Sequence, residues 1–311
     1  MVHLKKSFFA EDKTMSLNEA IKKFVKSNCL ITFGGSNGRH PMAAVYEIAR
    51  QKIGELKIIA ENCLTGEDLL TGLGLVEKIE TSWVGISGID MAHNIRRAIE
   101  QGIPRPIEFE DYSNFTGSLR FLAGAMGVSF MPTKSLLGSS IPKYNPRIKI
   151  IEDPYTDELV ALVPSANPDV AILPVQRADK RGNAQIFGHI GIDDLKARAA
   201  ENVIILCEEI VDTDEIRKIP NSTLIPEYLV KAVVKVPYCC HPWDMYGYYY
   251  YDLPFYRDYG ACVRRSYDEF LKWVNEYVYD CEDHFEYCEK VGWKRLFKLS
   301  EMAKKISRIP V

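Results

Sequence analysis

Along the first 130 residues, short apolar runs alternate with stretches whose apolar positions recur every three to four residues. "CLITF" (29–33) precedes a helix predicted over 41–53, "LKIIA" (56–60) and "SWVGIS" (82–87) precede a helix near 90–101, and "IEFE" (107–110) precedes one near 116–126. This alternation predicts βαβ units and a mostly parallel sheet. The runs "CLITF", "DVAILPV" (169–175) and "NVIILC" (202–207) are apolar throughout, as in strands covered by helices on both faces. In the segment 114–126, Leu119, Leu122 and Met126, with Phe121 and Ala125 beside them, share a predicted core face. Gly127 then stands where a left-handed cap ends a helix.

No repeat of solenoid period and no Pro/Gly/Ser linker interrupts the pattern, so residues 1–252 read as one α/β domain. Beyond Pro254 the pattern is helical again, with Phe270, Trp273, Val274 and Tyr277 on one stripe. Residues 253–311 are therefore expected to be a helical extension packed on the same domain or on a partner.

Composition narrows the function. The 311 residues are 47% hydrophobic with a formal charge of -3, and the pI is near 6.1. A nucleic-acid binder needs a net basic face, so small molecules or proteins are the expected ligands. The apolar run after the N-terminal lysines is too short for a signal segment, no run is long enough to span a bilayer, and a cytoplasmic protein is expected. None of the eight cysteines forms a C-x-x-C pair, which points to reduced, buried thiols rather than a zinc or redox site. Cys239 and Cys240 precede His241, but a base next along an extended chain faces away from its nucleophile.

The stretch "CLITFGGSNGRHPMAAVYEIAR" (29–50) reads as strand, glycine turn and helix. A turn of this kind leaves backbone N–H groups at the carboxyl edge of a sheet, where open α/β folds bind ligands. No G-K-[ST] follows, and glycines at 34, 35 and 38 are not spaced as G-x-G-x-x-G, so neither a P-loop nor the usual dinucleotide fingerprint is present. Glu61, at the end of the second strand, keeps a ribose-binding acid open. A turn needing glycine only for its φ angles is the plainer alternative.

The same stretch resembles the turn that opens the A (α) subunits of the class I coenzyme A transferases, in the style of glutaconate CoA-transferase. In order along the chain, "EDYSNF" (110–115), "GAMGVSFMPTKSLLGSS" (124–140), "DVAILPVQRADKRGNAQIFG" (169–188), "VIILCEEIV" (203–211) and "VVKVPYCCHPWDMYGYYYYD" (233–252) resemble further blocks of that family. The resemblance implies a three-layer α/β/α sandwich, and an active site shared with a B-type subunit in a heterotetramer or larger assembly. It implies that a glutamate of the B chain attacks the acyl-CoA thioester and carries coenzyme A as a glutamyl thioester. Such chemistry needs N–H donors aimed at the oxyanion, each contributing about 3 kcal/mol. Coenzyme A enters as a substrate carrier, and no metal or redox cofactor is implied.

By the same resemblance Gly34, Gly35, Ser36, Asn37 and Arg39 line the site, with Arg39 as a carboxylate clamp. Ser87, Gly138 and Ser139 are further candidates for meeting the acid or coenzyme A, unless the serines cap helices. Arg177 and Asn183 either contact ligand or brace a hairpin with Gln185. Ser36 stands where the family has an aromatic residue, and Cys239 and Cys240 where it has small residues before His-Pro. "IIAENCLTG" resembles the nucleophile block of the B-type half. Glu61 is therefore a nucleophile candidate, weighed against an exposed strand-end carboxylate; His241 is expected to be structural. The aromatic run at 243–259 carries the wrong charge for nucleic acid and is expected at a subunit interface. Rival readings are a ring-opening hydrolase of a steroid-derived CoA thioester, a decarboxylase of a glutaconyl-type CoA, and a non-enzymatic binding or assembly module.

Overall fold

The computed structural model describes residues 11–35, 38–86, 88 and 90–306. Its strands are β1 (Leu30–Phe33), β2 (Leu56–Ile59), β3 (Val76–Thr81), β4 (Glu108–Asp111), β5 (Phe130–Thr133), β6 (Lys149–Glu152), β7 (Leu159–Pro164), β8 (Val170–Ala178), β9 (Ala184–Gln185), β10 (Asn202–Ile210), β11 (Thr223–Ile225) and β12 (Val230–Lys235). Its helices are α1 (Leu17–Phe24), α2 (Met42–Arg50), α3 (Thr65–Gly72), α4 (His93–Gln101), α5 (Asn114–Met126), α6 (Ile141–Tyr144), α7 (Asp193–Ala199), α8 (Thr213–Lys218), α9 (Leu253–Arg265), α10 (Tyr267–Val274), α11 (His284–Val291) and α12 (Trp293–Ile306).

Among the described residues the main sheet has nine strands. Strands β12, β10, β8, β1, β2, β3 and β4 are neighbours in that order and all parallel. The short β9 and β11 add antiparallel pairs at the end of β8. Alternate residues explain why the central strands are apolar throughout. Val170, Ile172, Ile204, Leu206, Ala232 and Val234 enter one core, while Ala171, Leu173, Val175, Val203, Ile205, Cys207 and Val233 enter the core on the other face. Helices on both faces make the expected three layers.

A separate antiparallel sheet, β5-β7-β6, packs over Tyr112, Leu136 and Ile148. The helices α9 to α12 share the larger core with β1 and α2 through Phe255, Tyr259, Phe270, Trp273, Tyr287 and Leu296. No described helix is long and apolar enough to cross a membrane.

Three expectations need correction. The third strand is the charged "VEKIET" (76–81), not 82–87, whose Val84 and Ile86 form only isolated bridges. Helix α5 buries Thr116, Gly117, Arg120 and Ala123 together with the expected Phe121, while Leu119 and Leu122 are only half-buried and Met126 is 62% exposed. The close approach sets this choice: a Cβ on Gly124 would lie 2.0 Å from the Ala166 carbonyl oxygen, so that side packs inward. Gly127 does cap the helix, at φ +70°. Finally, much of the aromatic run expected at an interface fills this chain's own core, with Tyr246 left 40% exposed. Tyr249, Phe255, Tyr256 and Tyr259 are each buried, and Trp243 meets Tyr256 edge-on at 4.8 Å.

Candidate active site

The parallel strands bring the ends of β1, β2, β8 and β10 to one edge, where the glycine turn follows β1. Among the described residues, its N–H groups are not offered outward as the sequence pattern suggested. Gly34 N–H donates to Ile172 O at 2.9 Å, and Gly35 N–H donates to the Asp193 carboxylate at 3.0 and 3.2 Å. Gly35 sits at φ +77°, and a Cβ there would fall 2.2 Å from the Arg39 carbonyl oxygen, so only glycine fits.

Arg39 is buried, at 4% exposure. Its Nη1 donates to Pro174 O at 2.6 Å; its Nη2 donates to His189 O at 3.0 Å and to Asp193 Oδ2 at 3.1 Å. The guanidinium therefore braces the turn, and its terminal nitrogens are engaged by protein groups instead of standing open as a substrate clamp.

Glu61 is not an exposed strand-end carboxylate. It is 6% exposed, and Lys196, 2% exposed, brings Nζ within 2.9 Å of Oε2. The same ammonium donates to Phe33 O at 2.7 Å. Burial alone would depress Lys196, but the Glu61 and Asp193 carboxylates hold it above the usual lysine range. Ser82 Oγ donates to the Glu61 carbonyl. Beside this pair, His40 Nε2 lies 3.3 Å from Glu67 Oε2. Burial raises the Glu67 carboxyl, and His40 together with the Glu67 and Leu64 backbone N–H groups more than offsets it.

The structure thus brings Gly34, Gly35, Arg39 and Glu61 together around Asp193 and Lys196. Neither of these two is legible as a site residue in the sequence, because one acid and one lysine in "IDDLKARAA" look like any solvated helix face. The other candidates lie apart. Arg177 Nη2 donates to Gln185 Oε1 at 2.9 Å. Asn183 Nδ2 donates to Asp179 Oδ2 at 2.9 Å and Glu227 Oε2 at 3.0 Å. Both brace the β8–β9 hairpin, whose N–H groups at 181, 182 and 183 all donate to Asp179. Gly138 and Ser139 sit on the exposed turn between β5 and α6, with Ser139 Oγ donating to Leu136 O. Ser36, Asn37 and Ser87 lie outside the described residues.

Behind the edge lies a second buried polar group, around the "VPYCCHP" turn. Glu208 accepts from Tyr238 N–H at 2.7 Å, Cys239 N–H at 3.2 Å and Tyr249 O–H at 2.9 Å, and burial pushes its carboxyl up to about 7. Cys239 and Cys240 are fully buried free thiols, 3.7 Å apart, and burial raises both. His241 lies between Tyr287 O–H at 2.7 Å and Asp252 at 3.1 Å, and burial lowers its imidazole. It carries a structural hydrogen-bond pair and touches no open surface.

Similarity to known proteins extends over most of the chain. Residues 14–236 match the family model described as coenzyme A transferase. The chain is 34% identical to the A subunit of the 3-oxoadipate CoA-transferase from Pseudomonas knackmussii, over 89% of this chain and 98% of that one. It is also 34% identical to the A subunit of the glutaconate CoA-transferase from Acidaminococcus fermentans, over 92% and 94%. The crystal structure of the latter enzyme superposes with a TM-score of 0.88, covering 92% of this chain and 95% of that one. An uncharacterised protein of Archaeoglobus fulgidus is 40% identical over 93% of this chain, which spans only 64% of that longer relative. The fold and these similarities together show that the chain belongs to the coenzyme A transferase family.

Proposed function

We propose that this chain is the A-type half of a two-chain coenzyme A transferase, moving coenzyme A between an acyl-CoA and a dicarboxylic acid of the glutaconate or 3-oxoadipate kind. The observation that carries the reading is the 34% identity, nearly end to end, with the A subunits of two such enzymes. The edge geometry supports placing the nucleophile on a B-type partner. Glu61 is held against Lys196 and Asp193 against Arg39, and both carboxylates are buried. A carboxylate committed in this way is a poor attacking group, because its lone pairs already face cationic donors.

In the proposed reaction the partner's glutamate carboxylate attacks the thioester carbonyl, and the coenzyme A thiolate leaves as an anhydride forms. That thiolate then attacks the glutamyl carbonyl, giving the glutamyl thioester and releasing the first acid. The second acid repeats the two steps in reverse and leaves as its own CoA thioester. A cytoplasmic location and an assembly of at least two chains of each kind belong to the proposal.

The test is made on this chain purified with its B-type partner. The complex is incubated with glutaconyl-CoA and treated with borohydride, and each chain is weighed by mass spectrometry. A mass change on the partner is expected. A change on this chain would move the nucleophile to Glu61, and consumption of the ester with neither mass altered would favour the hydrolase or decarboxylase reading.

A further inference from the structure

We propose that α7 is the positioning element of the site, and that the anion held by the glycine turn is the chain's own Asp193 carboxylate. The reaction it tunes rests on the coenzyme A transferase reading; the geometry does not. Asp193 opens α7 and is fully buried. It accepts the Gly35 N–H and pairs with Arg39 at 3.1 Å. Lys196 stands three residues on, so both side chains leave the same face of the helix. From there Lys196 donates to Phe33 O, the last residue of β1, and pairs with Glu61, just beyond β2. One helical turn therefore holds both strand-end loops of the candidate site.

The glycine pair is explained by the same carboxylate. A Cβ on Gly34 would stand 3.1 Å from Asp193 Oδ2 and 2.8 Å from Leu173 Cδ2, so residue 34 must be small for the carboxylate to enter. Gly35 supplies the positive φ that turns its N–H onto that carboxylate. Arg39, at φ +35°, closes the loop over the same anion while its other donors reach Pro174 and His189. In a buried setting these charge-assisted bonds are strong and directional, so Gly35 and Arg39 are held in place before any substrate arrives. Asp193 touches no substrate in this scheme. It acts through the loop, and a displacement on the order of 1 Å there costs roughly 100-fold in rate.

Asp193→Asn keeps the shape and one acceptor but removes the charge opposite Arg39. In the complex with the B-type partner, kcat for transfer from glutaconyl-CoA to acetate is expected to fall about 10- to 100-fold. KM should change less than about threefold, with partner co-elution and far-UV circular dichroism unchanged. Arg39→Gln should give a similar loss, and the double variant no more than the worse single, because the two act as a unit. Hydrogen exchange of the peptide spanning residues 34–40 is a readout independent of activity and should accelerate in both variants. If the unsubstituted complex transfers no coenzyme A, the transferase reading fails, and the exchange measurement alone decides the positioning claim. Unchanged kcat and unchanged exchange in a folded Asp193→Asn complex would overturn it. Should that variant not fold, Arg39→Gln, which keeps the Gly35 bond to Asp193, carries the same test.

Discussion

Replacing Lys196 by Met tests whether the charges beneath the turn are coupled as the geometry requires. The side chain is 2% exposed and its partner Glu61 is 6% exposed, with 2.9 Å between Nζ and Oε2. Removing one partner of a buried ion pair leaves the other charge uncompensated and costs about 3–5 kcal/mol. The Phe33 carbonyl loses its 2.7 Å donor as well, which adds about 1 kcal/mol. A total loss of about 4–6 kcal/mol is expected by urea unfolding at pH 7, with a drop in melting temperature on the order of 10 °C. The double variant Glu61→Gln/Lys196→Met removes both charges and should recover about 2–3 kcal/mol relative to Lys196→Met alone, so its loss falls well short of the sum of the two singles. The protonated lysine is favoured in the fold, so its contribution is complete below the ordinary lysine pKa and disappears as pH rises through the raised folded value. The Met variant should lack that alkaline limb. A single-variant loss under about 1 kcal/mol, or a double variant as unstable as the sum of the singles, would refute the coupling.

Gly35→Ala forces a Cβ to within 2.2 Å of the Arg39 carbonyl oxygen at φ +77°; a loss of at least about 2 kcal/mol is expected in thermal unfolding. Glu208 has a raised carboxyl, so its protonated form favours the fold, and stability from this group falls as pH rises from 4.5 to about 7. Glu208→Gln should flatten that segment of a stability–pH profile measured by urea unfolding. Asp252 behaves in the opposite sense. Burial alone would raise it, but His241 and Arg295 hold it at about 2, so its contribution is present above pH 3.8 and is lost as pH falls towards 2. Arg295→Ala removes the bonds at 2.5 and 2.7 Å that tie α12 to this carboxylate, and acid unfolding should begin at higher pH.

Much of the fold is legible in short-range pattern, and the failures are instructive. β1, β8 and β10 announce themselves because strands buried on both faces cannot alternate. β3 does not, because Lys78 and Glu80 are charges inside the sheet, made tolerable by Glu110, Arg120 and Arg147 from elsewhere in the chain. The helix after Ser113 is visible in the pattern, but its inward face is not, since a glycine packed against the Ala166 carbonyl outweighs a leucine stripe. Of the site, the glycine turn is legible and its ligand is not. Asp193 lies 158 residues from the Gly35 N–H it accepts, and Lys196 lies 135 residues from Glu61.

The sequence alone therefore determined the layered α/β architecture, the glycine turn at the sheet edge and the family resemblance, because each depends on neighbours along the chain or on motif order. Only the tertiary structure decided which groups meet: that Arg39 and Glu61 are buried ion-pair members, that much of the aromatic run forms core, and that one turn of α7 holds two strand ends. Burial and pairing are properties of groups brought together from distant positions, and a free carboxylate and a buried one are spelled with the same letter.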